Sequence, residues 1–221
     1  MDFDFSPVLA SWPYLLGGLG ITLALSALTV AASLIVGLAI ALGRLYGPRW
    51  LSAILTFYID SMRAIPVLVV LIWIYFALPM LTGVNLPPFW SALLALTLHI
   101  AAYVAEVVRA GIVSVRRGQS EAGLVIGMSG AQILRNIVLP QALIRMLPAL
   151  GSIVSITIKD TAIAAVIAVP ELMKRAETIS GQSFRPMEVF TVIMVVYFLI
   201  IFPTTRLMDM VYQRVAYRGR S

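Results

Sequence analysis

Apolar residues run through this chain in five long stretches separated by polar breaks. They cover about Leu15 to Leu42, Leu51 to Leu78, Phe89 to Val113, Ile144 to Val169 and Val189 to Val211. Each stretch is about 20 residues or longer, the length a helix needs to cross roughly 30 Å of hydrocarbon. The pattern predicts an all-α membrane protein of five transmembrane helices, with residues 1–221 forming a single transmembrane domain. The opening segment MDFDFSPVLASW is acidic where a leader would be basic, and the apolar run after it is too long for a leader core, so the first stretch is expected to stay as a span. Between the third and fourth stretches lies a segment, about 116–143, too polar to span yet helical in pattern. It predicts a short helix, a glycine-rich break near Met128-Ser129-Gly130, and a second helix stopped by Pro140.

Composition agrees with this pattern. Hydrophobic residues make up 61% of the chain and charged residues 12%, against about 25% charged in a soluble domain. The net charge of +6 sits in short loops, so topology explains it and a nucleic-acid partner is not expected. With no cysteine, disulfides and thiolate metal sites are excluded. Charge also orients the spans. Arg44, Arg49, Arg116, Arg117, Arg135, Arg145, Arg206, Arg214, Arg218 and Arg220 fall on one side, while Lys174, Arg175 and Arg185 fall on the other with Asp2 and Asp4. The positive-inside rule makes the first side cytoplasmic, placing the N-terminus outside and the C-terminus inside.

Six ionisable residues remain at or near membrane depth: Asp60, Arg63, Glu106, Arg109, Lys159 and Asp160. Charges there cost roughly 2.5–3.5 kcal/mol on insertion scales, so they tend to face a bundle interior, pair, and mark a transport path. The i,i+3 spacing sets Asp60 with Arg63 and Glu106 with Arg109 on common helix faces, as structural ion pairs or as functional ones. Arg109 lies near the cytoplasmic end of its span, where it would snorkel. Glu106, Lys159 and Asp160 lie deeper and are candidates to line a polar cavity, with Thr161 beside them. A zwitterionic amino acid needs an anion for its ammonium and donors for its carboxylate, and these residues supply both. Arg63 and Pro66 join the candidates, because a proline-broken helix frees backbone groups for a substrate. Thr29, Ser33, Gly37 and Ala41 form a small-residue stripe suited to close helix packing. The lone His99 is read as a packed or hydrogen-bonded residue rather than a metal or proton site.

The polar segment carries the most specific signal. Glu121-Ala122-Gly123, then Gly127, then Ile137-Val138-Leu139-Pro140 resemble the cytoplasmic EAA loop of ABC-importer permeases. Three further stretches, Ser61 to Phe76, Ala101 to Gln119 and Ile158 to Leu172, are similar to the polar amino acid branch of that family, so the resemblance covers nearly the whole chain in order. Gly123 departs from the usual Ala, and Ala64-Ile65 stands where many relatives have Gly-Thr. The resemblance implies a type I ABC importer transmembrane domain in a bacterial cytoplasmic membrane. Glu121, Ala122, Gly127, Met128 and Arg135 would couple to a dimer of cytoplasmic ATPase subunits. A second permease subunit, the same chain or another, would complete the path. A periplasmic or lipid-anchored binding protein would deliver a polar amino acid, with Arg63, Lys159 and the Ala-Ile-Pro variant leaning towards an acidic one. The chain has no Gly-Lys dipeptide and hence no Walker A loop. No cofactor or catalytic role is therefore expected of this chain, ATP and Mg²⁺ belonging to the partner. The competing reading is an ion-coupled secondary amino acid transporter acting without an ATPase.

Overall fold

The computed structural model describes residues 3–218, all-helical with connecting turns; the predicted topology charges Asp2 and Arg220 lie outside the described residues. A short helix α1 (Ser6–Ala10) leads into α2 (Trp12–Tyr46), whose 35 residues give a rod about 52 Å long at 1.5 Å per residue.

The second apolar stretch is not one straight span. α3 (Arg49–Ala64) stops before Pro66, and α4 (Val67–Ile72) continues through a π turn (Trp73–Ala77) into α5 (Leu78–Thr82). The two halves are bent by 108° at the break. Pro66 has no N–H to donate and its ring clashes with the preceding turn, while Ile65, at φ −90° and ψ 131°, is held in the extended region that a following proline enforces. Each half is about 24 Å long, short of the hydrocarbon thickness, so the pair can cross only together.

α6 (Pro88–Val113) is the centre of the molecule, buried on most of its circumference. α2 lies along it through the predicted small-residue stripe: Thr29, Ser33, Gly37 and Ala41 are all buried. A Cβ placed on Gly37 would stand 2.6 Å from Val104 Cβ and 2.8 Å from the Ala101 carbonyl oxygen.

After α6 come α7 (Arg117–Val125), α8 (Gly130–Ile133), a π turn (Leu134–Val138), α9 (Leu139–Asp160) and a 3₁₀ segment (Thr161–Ile167). Pro140 does not stop a helix, contrary to the sequence expectation. The wide π turn just before it absorbs the missing hydrogen bond, as π-bulges do. The run from Gly130 to Ile167 is one continuous candidate span of 38 residues. It begins well before the expected Ile144.

The mixed-charge loop after it contains an unforeseen helix, α10 (Leu172–Ser183), before α11 (Pro186–Arg218) closes the bundle. Leu172, Ala176 and Ile179 bury one stripe of α10 against α2 and α11. Its N-terminus is capped by Glu171, fully buried at 0% exposure. That carboxylate accepts from the N–H groups of Met173 (2.9 Å) and Lys174 (2.7 Å) and from the hydroxyls of Thr22 (3.2 Å) and Tyr197 (3.4 Å). Burial pushes its carboxyl up, and the donors pull against that shift. One side chain thus ties α10 to α2 and α11. Glu171→Ala removes the cap and takes the acceptor from the buried Thr22 hydroxyl and the half-buried Tyr197 hydroxyl, so we expect a loss of about 2–4 kcal/mol, read as a lower thermal unfolding midpoint in detergent. An unchanged midpoint would deny Glu171 this role.

The N-terminal segment meets the same end of the bundle: Arg185 lies 3.8 Å from Asp4 and 3.0 Å from Glu188. Arg175 donates to the Tyr14 carbonyl at 2.6 Å. The charges expected on one side of the membrane therefore sit together in space.

Candidate functional site

Two helices on either side of a small cavity supply its polar groups. His99, Ile100 and Tyr103 come from α6; Ile153, Ile156 and Asp160 come from α9, at i, i+3 and i+7 along one helical face. The cavity measures about 140 Å³. Asp160 stands at the last turn of α9, where the helix tightens into the 3₁₀ segment, and no described residue hydrogen-bonds or ion-pairs with its carboxylate. His99 is 6% exposed and its Nδ1 has no hydrogen-bond partner among the described residues. Its ring lies 5.3 Å from that of Tyr103, and the Arg63 guanidinium lies 5.7 Å from the centre of the Tyr103 ring. α3 is pinned to α6 nearby by the Tyr58 hydroxyl, which donates to the Leu98 carbonyl at 2.6 Å. The arrangement joins a carboxylate, an imidazole and a phenol ring around one space, with a guanidinium against the phenol ring.

The predicted site residues therefore separate. Asp160 lines the cavity and Arg63 borders it through Tyr103. Glu106 does not line it. Its carboxylate is taken by Arg44 (2.8 Å) and Arg109 (2.5 Å), a three-charge node joining α2 to α6 near their ends. Arg109 thus pairs rather than simply snorkelling. Lys159 is exposed, and Thr161 turns its hydroxyl back to the Ile158 carbonyl at 2.7 Å. Pro66 forms the exposed corner of the α3–α4 break, where its carbonyl accepts from Val69 at 2.9 Å. The three-residue i,i+3 pairing rule missed Arg44, because it comes from another helix. Tyr103 escaped notice as an ordinary aromatic, although its i,i+4 spacing from His99 was a usable signal. No group of three or more His, Asp or Glu suited to a metal occurs among the described residues.

The polar segment between α6 and α9 forms a second site. α7 ends in a Schellman turn: Gly127, at φ +81°, donates to Leu124 and Met128 donates to Gly123, both at 3.0 Å. Ser129 then opens α8 through a capping box with Gln132. The break predicted near Met128 is thus a defined corner. Gly123 is buried under Ile133 and Ile137, whose side-chain atoms would lie 3.0 Å from a Cβ there, so the departure from alanine serves close packing of α7 on the next helix. Arg145 donates to the Ser114 carbonyl and, at 3.2 Å, to its hydroxyl, clamping the base of the segment. With its inner side held, α7 presents Glu121, Ala122, Leu124, Val125 and Ile126 outward, Val125 at 87% exposure. Arg135 is exposed on the following turn, while Met128 packs partly inward.

Comparison with known proteins matches residues 33–217 to the family described as the binding-protein-dependent transport system inner membrane component. The chain is 36% identical over 201 residues to the glutamine transport system permease protein GlnP of Escherichia coli (strain K12), covering 90% of this chain and 92% of that one. It is 32% identical to the arginine transport system permease protein ArtQ of Bacillus subtilis (strain 168), over 91% and 92% of the two chains. Among solved structures, an amino acid ABC transporter crystallised with histidines superposes with a TM-score of 0.91 at 34% identity, over 97% of this chain and all of that one. The MetNI methionine ABC transporter shares the fold at a TM-score of 0.80 and 18% identity. Sequence, fold and loop geometry together place the chain in the binding-protein-dependent transport system inner membrane component family, among the permease subunits of amino-acid ABC transporters.

Proposed function

We propose that this chain forms one side of the membrane path of an ATP-driven amino acid importer, in a bacterial cytoplasmic membrane with its N-terminus outside. α7 docks on a cytoplasmic ATPase, and closure of the ATPase pair rocks α6 and α9, which share the cavity. A second permease subunit completes the path, and an external binding protein loads it. The observation that carries this reading is α7 itself: a helix closed by a Schellman turn, with its inner side packed and a bare, exposed Leu124-Val125-Ile126 edge beside Glu121. Apolar surface displayed by a rigid polar-segment helix is the mark of a partner site. The relatives' names, covering glutamine, arginine and L-cystine transport, support a polar amino acid as cargo.

Within the path, Asp160 is the group that meets the substrate ammonium. It is unpartnered, at membrane depth and on the cavity wall, where an opposite charge is strongly favoured. Asp160→Asn is expected to lower uptake by reconstituted transporter at least about 10-fold, the effect of losing one charge-assisted hydrogen bond of about 1.5–3 kcal/mol. Wild-type uptake by the variant would take Asp160 out of the path. The acidic-substrate expectation gains no support from the cavity, because neither Lys159 nor Arg63 is among its lining residues.

A further inference from the structure

We infer that His99 reads the side chain of the substrate and that the cavity suits a neutral amino acid with a hydrogen-bonding side chain; the inference rests on the cavity being the substrate site. The first support is the imidazole. His99 is buried at 6% exposure, it borders the cavity, and its Nδ1 has no partner. A buried polar atom left unpaired costs about 1–3 kcal/mol, and native interiors keep few such atoms. The cavity wall opposite carries Asp160 from α9, so a ligand held between the two helices lies against the residue that carries this unpaired nitrogen.

The second support is the inventory of charges. Asp160 is the only carboxylate among the described residues lining this cavity. Glu106, the other acid deep on α6, is already shared by Arg44 and Arg109. A substrate with two cationic groups would set one on Asp160 and leave the second without a counter-charge, which is costly at membrane depth. A substrate with an acidic side chain would bring two carboxylates to a wall that has no cation of its own, since Arg63 sits over the Tyr103 ring and not on the lining. A zwitterion with an uncharged side chain sets its ammonium on Asp160 and leaves only its carboxylate without a fixed counter-charge, one unpaired charge fewer than either.

The third support is the remaining wall. Ile100, Ile153 and Ile156 are apolar and offer no hydrogen bond. A wholly aliphatic side chain would pack there but leave Nδ1 as unpaired as before. A carboxamide or hydroxyl satisfies it. Sites built to hydrogen-bond a substrate group reject analogues that lack the group far better than apolar pockets reject an extra one.

The test is direct binding of labelled glutamine, glutamate, arginine and leucine to the purified permease–ATPase complex in detergent, without the binding protein, so that its selectivity does not enter. Glutamine and glutamate differ in charge alone, and leucine is of similar size without the hydrogen bond. Glutamine is expected to bind at least about 10-fold tighter than each of the other three. His99→Leu is expected to bring the glutamine-to-leucine ratio close to one, and His99→Asn to keep most of it. Tighter binding of arginine or glutamate than of glutamine overturns the substrate class. An unchanged glutamine-to-leucine ratio in His99→Leu overturns the role of His99 and means that water alone satisfies Nδ1. Asp160→Asn is expected to weaken all four ligands; if it weakens none, the cavity itself is not the substrate site, a failure separate from that of His99.

Discussion

Reversing the charge at Glu121 is expected to abolish transport, lowering uptake by about 100-fold or more while the chain still inserts and folds. Glu121 lies in the middle of α7 on its exposed side, and its side chain makes no hydrogen bond or ion pair among the described residues. The helix is held without it, by the Schellman turn at Gly127 and by Gly123 packing under Ile133 and Ile137. A lysine there changes only what α7 offers to a partner. Truncating one member of a buried interfacial charge pair costs about 2–5 kcal/mol, and replacing it with the opposite charge adds repulsion. The measurement is substrate-stimulated ATP hydrolysis and uptake in proteoliposomes, alongside the amount of protein recovered from the membrane and its unfolding midpoint. Normal coupling in Glu121→Lys would exclude α7 as the docking helix through this residue. A loss of inserted protein instead would mean that Glu121 serves folding.

Gly37→Leu is expected to prevent the bundle from forming. Helices in lipid gain little from burying apolar side chains against each other, so association rests on close packing, and small residues allow it. At Gly37 the approach is at its limit: even a methyl group would lie 2.6 Å from Val104 Cβ and 2.8 Å from the Ala101 carbonyl oxygen. The second of these atoms is backbone of α6, the most buried helix, and it has nowhere to go. Overpacking of this kind costs about 1–3 kcal/mol when side chains can yield and more when they cannot. The control is Gly20→Leu on the same helix, where a Cβ would meet nothing within 4 Å. Both substitutions change helix propensity equally. Folded, detergent-stable protein should be recovered from Gly20→Leu and not from Gly37→Leu. Equal recovery would refute the packing account.

Much of this was legible along the chain. Five apolar stretches, the alternation of positive charge and the helix–break–helix pattern of the polar segment all come from short-range properties. Hydropathy over about 20 residues, a four-residue stripe of small side chains, and a glycine after a helix each carry their meaning locally. The stripe from Thr29 to Ala41 and the corner at Gly127 are found where those rules put them. Asp160 also emerged from the sequence, as a charge with no local excuse.

Other features needed the tertiary structure. Prolines illustrate this well: Pro66 bends its helix by 108° whereas Pro140 follows a π turn inside a continuous span. A proline only removes a donor and inserts a ring; whether the chain breaks or rewinds depends on the helices packed around it. α10 was hidden because eight of its 12 residues are charged, polar or glycine, and only its three buried positions against α2 and α11 reveal why it is ordered. Glu106 and Asp160 looked alike as intramembrane acids. They parted because Arg44, 62 residues away in sequence, reaches Glu106, while no described side chain hydrogen-bonds or ion-pairs with Asp160. His99 is packed, as its sequence setting suggested, but that its Nδ1 is left without a partner among the described residues could be known only from its neighbours. The sequence by itself determined that the chain carries membrane-spanning helices, which of its loops hold the positive charges and where the polar helix–break–helix segment lies, since these follow from summed transfer energies and local backbone rules. Which charges remain free to meet a substrate was decided by tertiary structure alone, because a charge is neutralised by whatever lies within a few ångströms in space, however distant in the chain.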